Sequence, residues 1–293
     1  MSATAGLKPL STRLKRASAG LNLCHDNASA LFKQRPELEC LQIHPEHLIQ
    51  EAGGTYREQL DELRREYSVV LHGYGLSLGS SGPLDKQYLL LVRQLLREHP
   101  EAVFSDYLSW SSLSQHHFHV LLPLIQNGET VEYLAERIEE AQDVIGSPIL
   151  LENISSYMRF RDSDMSEIEF INAITERCGC YVRLNVNNFW INAKNFHEDP
   201  WKELSQLRGD SVRGFHLEGC ATEAMGNGLI QIDYRKEAIH QEVWDLYQQS
   251  LTHFGAWPTI VEWDNDAPSL ERAMDQVQLV NKFLRPYAFE KAQ

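Results

Sequence analysis

The sequence predicts a single (β/α)8 barrel. Three observations predict it. Short apolar runs alternate with helical patterns eight times between residues 19 and 286. The runs are apolar on both faces, as strands covered by helices are. No long linker, low-complexity segment or internal sequence repeat divides the chain. A doubly wound open sheet is the other arrangement of the same alternation. Flexible tails are expected over residues 1–18 and 287–293, with the barrel taking 19–286.

The first strand is Gly20-Leu21-Asn22-Leu23, followed by a helix from about Asn27 to Lys33. The second, Leu38 to Ile43, runs into His44-Pro45-Glu46-His47. After Gly53-Gly54, Tyr56 to Tyr67 reads as a helix with Leu60 and Leu63 on one face. Ser68 to Leu71 is the third strand and delivers His72. A glycine-serine loop spans residues 75–82. Pro83 and Asp85 then suit a helix start, and the helix lasts to about Glu98 before Pro100.

Ala102 to Ser105 is the fourth strand, ahead of Asp106-Tyr107. A polar excursion follows with Trp110 and His116-His117-Phe118-His119, read as a solvated hairpin tip. Thr130 to Ile145 is an amphipathic helix. Ile149 to Asn153 is the fifth strand, an apolar run that stops abruptly at Glu152 and Asn153. A helix entered at Asp164 or Ser166 runs to Arg177, with Glu167 and Glu169 in its first turn.

Tyr181 to Val186 is the sixth strand, with Asn185, Asn187 and Asn188 at its end, and Asp199 to Leu207 is a short helix. Val212 to Phe215 is the seventh strand, ending at His216. An irregular stretch with Gly226 and Gly228 precedes a helix from about Glu237 to Phe254. Thr259 to Val261 is the eighth strand, ending at Glu262-Trp263-Asp264-Asn265-Asp266. Pro268 opens a last helix that runs to about Phe283.

Lys+Arg of 27 against Asp+Glu of 41 gives a formal charge of −14, which argues against a phosphate-backbone partner, so no nucleic-acid partner is expected. No apolar run has membrane-spanning length, and the first eighteen residues lack the apolar core of a signal peptide, so no membrane partner and a cytoplasmic location are expected. No nucleotide cofactor is expected. The five scattered cysteines imply no disulfide framework, and Cys178 and Cys180 read as buried structural thiols. Gly75-Leu76-Ser77-Leu78-Gly79 fits the GxSxG pattern of serine hydrolases, but more loop follows it before Pro83, so it reads as a loop shaping the barrel mouth.

His44, His72, Asp106, Glu152, Asn185, His216 and Glu262 all stand at strand ends. In a barrel, residues at the C-terminal ends of the strands converge on one cavity. Imidazoles and carboxylates gathered there suit iron, manganese or zinc.

At these residues the chain resembles the multinuclear non-haem iron-dependent oxidative enzymes, the family of the methanobactin-making and thiaglutamate-making iron enzymes. The landmarks are IHPEH (43–47), LHGYGLSLGS (71–80), DYLSW (106–110), LLPL (121–124), LLEN (150–153), YMRF (157–160), MSEIEF (165–170), NVNNFWINAKN (185–195), FHLEG (215–219) and VEWDNDAP (261–268). The resemblance covers roughly Ala19 to Pro286. It implies a xylose-isomerase-like TIM barrel with two or three irons that uses dioxygen to oxidise cysteine, or a nearby group, in a ribosomally made precursor peptide. It also implies a separate partner protein that binds the peptide leader.

His44, His72, Glu152, Asn188, His216 and Glu262 match the family pattern and are the metal-ligand set the resemblance implies. The chain departs from the pattern at Asp106-Tyr107 in place of Glu-His, at Asn185 in place of Asp, and at Asn195-Phe196-His197 in place of Asn-His-Gly. It departs again at Cys220 in place of His, and at Asp233-Tyr234-Arg235 in place of Asp-x-His. His197 is a candidate substitute for the lost histidine. Asp106, Tyr107, Asn185, Cys220 and Asp264 are then expected to line the substrate pocket.

A three-iron centre does not fit these departures, which leave one or two irons at most, held by some of His72, Glu152, His216 and Glu262. Three functions stay open. One is a divergent peptide-oxidising enzyme. A second is a metal-free barrel that binds a peptide or an active partner. The third, by fold analogy alone, is a mononuclear sugar isomerase or phosphoesterase.

Overall fold

The computed structural model describes residues 10, 17–50, 53–113, 116–226, 228–234, 237–263 and 269–287. Asp264, Pro268 and most of the two expected tails lie outside the described residues.

Twelve strands and ten helices are described, in chain order. The chain opens with β1 (Ala19–Asn22), α1 (His25–Gln34), β2 (Cys40–Ile43), α2 (Pro45–Gln50), α3 (Thr55–Glu66) and β3 (Val69–Gly73). Next come α4 (Lys86–Glu98), β4 (Phe104–Tyr107), β5 (Trp110–Leu113), β6 (His116–Leu122), α5 (Gly128–Ile145) and β7 (Ile149–Glu152). Then follow α6 (Glu167–Cys178), β8 (Tyr181–Asn185), α7 (Val186–Asn195), α8 (Pro200–Leu204) and β9 (Val212–Leu217). The chain ends with β10 (Cys220–Met225), β11 (Gly228–Asp233), α9 (Gln241–Phe254), β12 (Thr259–Val261) and α10 (Leu270–Leu284).

Eight of the strands close into a parallel barrel in the order β1-β12-β9-β8-β7-β4-β3-β2, and β2 pairs back with β1. Side-chain caps set several of the helix starts. Asp85 accepts from the backbone N–H groups of Gln87 and Tyr88 to start α4. Asn127 does the same for α5 through Thr130. Ser166 and Glu169 form a capping box at α6, the second of the two expected entry points. Gly146 and Gly179 end α5 and α6 in the left-handed conformation that glycine adopts without strain.

The barrel interior is built in layers. Cys40, Val70, Val103, Leu150, Tyr181 and Ile260 form one apolar cluster. Gly20 and Gly214 complete it on the two remaining strands, and a Cβ added at Gly20 would overlap the Cys40 carbonyl oxygen. Side chains two residues apart on a strand share a face. The next layer toward the strand C-termini is therefore Asn22, Gln42, His72, Ser105, Glu152, Arg183, His216 and Glu262. Every member is polar, and none is more than 2% exposed.

The structure departs from the sequence expectations in several elements. The polar excursion is an antiparallel hairpin of β5 and β6, and the stretch after the seventh barrel strand is a second hairpin of β10 and β11. The amide-rich run at the end of β8 continues as the helix α7, where the sequence placed a strand to Val186 and no helix before Asp199. Asn185 caps it by accepting from Asn188 N at 2.9 Å, and burial of Val186, Phe189, Trp190 and Ile191 outweighs the weak helix propensity of its asparagines. Helix α9 begins at Gln241 rather than Glu237. His72, Asp106 and His216 lie inside strands rather than just beyond them, because parallel pairing continues through His72↔Ser105, Asp106↔Leu151 and Asn185↔His216.

Candidate metal centre at the barrel mouth

The polar layer brings four ligand-type side chains from four strands into one group. One ligand atom from each of His72, Glu152, His216 and Glu262 lies within 4.8 Å of every other. Among the described residues no other group of three or more His, Cys, Asp or Glu side chains meets that condition. His216 Nδ1 is 2.7 Å from Glu152 Oε1 and 3.3 Å from Glu262 Oε2. His72 Nε2 is 3.6 Å from Glu152 Oε2. The two imidazole rings meet edge to face, with centroids 5.0 Å apart.

The outward nitrogens fix which nitrogen of each ring faces the group. His216 Nε2 donates to Gln42 Oε1 at 2.7 Å, so in the neutral ring Nδ1 carries the lone pair. Ser105 Oγ lies 3.3 Å from Leu71 O and accepts from Arg183 Nη1 at 3.0 Å. Its hydroxyl proton is taken by Leu71 O, so it receives His72 Nδ1–H at 2.9 Å and leaves Nε2 as the lone-pair atom. Metal-ligating histidines are held in this way by an acceptor on the far nitrogen.

The donor set passes a test of fit. A lone pair on His216 Nδ1 and an anionic Glu152 oxygen at 2.7 Å require a proton or a metal cation between them. Two imidazoles and two carboxylates are ligands that iron, manganese and zinc share.

A shell of further polar groups surrounds the four. Asn185 Nδ2 donates to Glu152 Oε1 at 3.1 Å and to Glu218 Oε1 at 2.8 Å. Asp106 accepts from the backbone N–H groups of Leu76 and Tyr107. Burial pushes its carboxyl well above the usual range, and the charges of Glu46 and Glu152 push the same way. Burial also raises Glu46, which accepts from Tyr88 Oη at 2.7 Å. Tyr107 sets its ring against His72 at 4.6 Å. Cys220 is fully buried, and desolvation reinforced by Asp233 and Glu218 pushes its thiol up to about 12.

The remaining expected site residues sit as follows. The His44 ring lies 5.7 Å from that of His72 and 5.2 Å from that of His47. Asn188 is buried in the first turn of α7, where its Nδ2 donates to Asn153 O at 3.4 Å. Asp264 lies outside the described residues. His197 does not replace the lost histidine. It is exposed beyond the end of α7, with φ at 59°.

Gln42, Ser105, Arg183 and Glu218 belong to the site but were not candidates from the sequence. For the first three the signal was a polar residue two positions after an apolar one in a run otherwise buried on both faces, as in Cys40-Leu41-Gln42 and Tyr181-Val182-Arg183; Glu218 stands two after His216, just past the end of β9.

Solved structures with this fold include a xylose isomerase-like TIM barrel protein of Mycobacterium smegmatis in complex with magnesium. It has a TM-score of 0.59 and 11% identity, over 95% of this chain and 99% of that one. Endonuclease IV of Thermus thermophilus matches with a TM-score of 0.59 and 14% identity, over 92% of this chain and 99% of that one. Fold and mouth together define a xylose-isomerase-like TIM barrel with a buried His/Glu constellation of metal-ligand type.

Residues 18–285 match the family described as RiPP precursor modification enzyme MbnB/TglH/ChrH, and the chain belongs to that family. A UPF0276 protein of Acaryochloris marina is 34% identical over 266 residues, 91% of this chain and 94% of that protein. No helix of the described residues is long and apolar enough to cross a membrane.

Proposed function

We propose that the protein is a metal-dependent oxidoreductase that modifies a ribosomally made precursor peptide at or next to a cysteine. His72, Glu152, His216 and Glu262 would hold iron. The observation that carries this reading is the convergence of the four side chains within 4.8 Å on the C-terminal side of an apolar floor. Family membership supports the peptide as substrate. A metal-free binding barrel has no comparable support, because it gives no reason to bury two carboxylates against two imidazoles whose lone pairs face them.

Iron bound there would supply redox chemistry toward dioxygen and a substrate thiolate. The chain's own residues do the rest. Gln42 and Ser105 hold the two imidazoles with one nitrogen of each facing the group. Asn185 fixes Glu152 by a hydrogen bond to Oε1. The apolar floor packs behind the four side chains. Asp106, its pKa raised by burial, is held by the backbone N–H groups of Leu76 and Tyr107 and is the candidate proton-holding group beside the four. The peptide would enter from the mouth, where the hairpins of β5–β6 and β10–β11 stand and where a partner that holds the leader would present it.

The test is co-expression of the protein with the short cysteine-bearing reading frames that neighbour its gene, followed by mass spectrometry of the peptides. The reading expects a mass change confined to a cysteine-containing segment with wild type and none with Glu152→Ala. Unmodified peptides with a fully metal-loaded wild-type protein count against it.

A further inference from the structure

One charged residue of the polar layer is not a ligand. Arg183 is 2% exposed inside the barrel. Its Nη1 donates to Ser105 Oγ at 3.0 Å, and its Nε stands 3.7 Å from Glu152 Oε2. Gly214 on the neighbouring strand lies beside it, and a Cβ added there would meet Arg183 Cγ at 3.5 Å, an ordinary packing contact. The guanidinium stays protonated in proteins, so its charge is permanent.

Asn185, two residues further along the same strand, acts on the other oxygen of the same carboxylate. Its amide donates to Glu152 Oε1, where a second carboxylate would have stood in the family pattern, and it also ties Glu218. From β8, therefore, Asn185 hydrogen-bonds Oε1 and the Arg183 guanidinium stands 3.7 Å from Oε2. Oε2 faces Arg183 and His72, and Oε1 faces Asn185 and His216. A carboxylate that bridges two metal ions gives one oxygen to each. Here a second ion would have to displace the Asn185 amide from Oε1 or sit against the Arg183 guanidinium beside Oε2, where its charge meets a fixed cation.

The formal charges agree. Glu152 and Glu262 bring two negative charges and Arg183 one positive, so a single divalent ion leaves the layer at +1, whereas two would leave it at +3.

From this we infer that the barrel binds one metal ion, not a cluster, with Arg183 as the fixed cation and Asn185 as the neutral partner that take the place of a second ion beside Glu152. The inference rests on the metal-dependent reading above. It narrows the chemistry to what a mononuclear centre can do, with electrons beyond the first drawn from the peptide substrate or from a separate reductant.

The experiment is a metal count by mass spectrometry, with ferrous iron as the probe, on full-length protein loaded anaerobically and freed of excess iron. Electron paramagnetic resonance of the oxidised sample accompanies it. Wild type is expected to hold one equivalent, with the signal of an isolated ferric ion. Arg183→Lys keeps a cation and is also expected to hold one. The double variant Arg183→Met/Asn185→Asp restores a carboxylate and removes the cation, and is expected to take up a second equivalent.

Two or more equivalents in wild type, or exchange-coupled irons, overturn the inference and leave the metal-dependent reading standing. No bound iron in wild type overturns that reading and the inference with it. A double variant that fails to fold does not blunt the test, because the wild-type count and its spectrum decide by themselves.

Discussion

Replacing Gln42 by leucine is expected to weaken metal binding without touching a ligand. Gln42 is fully buried, and its Oε1 takes the proton of His216 Nε2 at 2.7 Å. Leucine fills similar space and accepts nothing. His216 then loses the bond that holds its Nδ1 toward Glu152 and Glu262. Far-side partners of metal-bound histidines are worth roughly 10- to 100-fold in metal affinity, which is about 1.4 to 2.8 kcal/mol.

The same buried N–H left without an acceptor costs roughly 1–3 kcal/mol of stability in the metal-free protein. Competition against a calibrated chelator reads the first effect, and chemical denaturation of the metal-free protein reads the second. Gln42→Glu keeps an acceptor at the same place and should hold affinity at or above wild type. An affinity for Gln42→Leu within twofold of wild type, with the protein folded, would refute the argument that the tautomer is set from behind the ring.

Three further outcomes follow from the same structure. Burial raises the Glu167 carboxyl to about 7, so the folded state binds the proton more tightly than the unfolded chain; this group's contribution to stability is fully present below about pH 4.5 and is lost as pH rises through 7. Glu167→Gln should therefore gain about 1–2 kcal/mol over wild type at pH 8, discounted for residual solvent contact, and nothing at pH 4; equal denaturation midpoints at pH 8 would speak against it. Tyr247 is fully buried with its hydroxyl 2.7 Å from Thr259 Oγ1, so Tyr247→Phe should cost about 1–2 kcal/mol, seen as a fall of a few degrees in Tm, and an unchanged Tm would contradict the bond's role. Gly20→Ala drives a methyl into the Cys40 carbonyl inside the closed ring and should cost about 3 kcal/mol or more, with loss of soluble yield; normal yield and Tm would show that β1 and β2 can part there.

Much of this molecule was legible in the chain before any coordinates. Strands buried on both faces are short and apolar, so β7 and β8 announce themselves and the barrel follows from their number. Glu152, His72, His216 and Glu262 were legible because ligand-type residues recur where apolar runs stop. Arg183 and Gln42 were not, because a polar residue inside an apolar strand signals its layer only once the register is known. Leu150 and Glu152 fall two apart like Tyr181 and Arg183, yet only the closed ring puts the four side by side. Helix α7 was hidden by its asparagines, whose propensity is weak and whose burial becomes evident only when α7 packs against β11 and α9. His197 was misjudged for the reverse reason, since proximity in sequence says nothing of the direction a helix end takes.

Anomalous diffraction at the iron edge, from crystals of protein loaded anaerobically with ferrous iron, tests the central claim most directly. The account predicts one peak about 2.0–2.3 Å from His72 Nε2, His216 Nδ1 and an oxygen of each of Glu152 and Glu262. Iron found elsewhere, or none between those four side chains in crystals that contain it, would contradict the account.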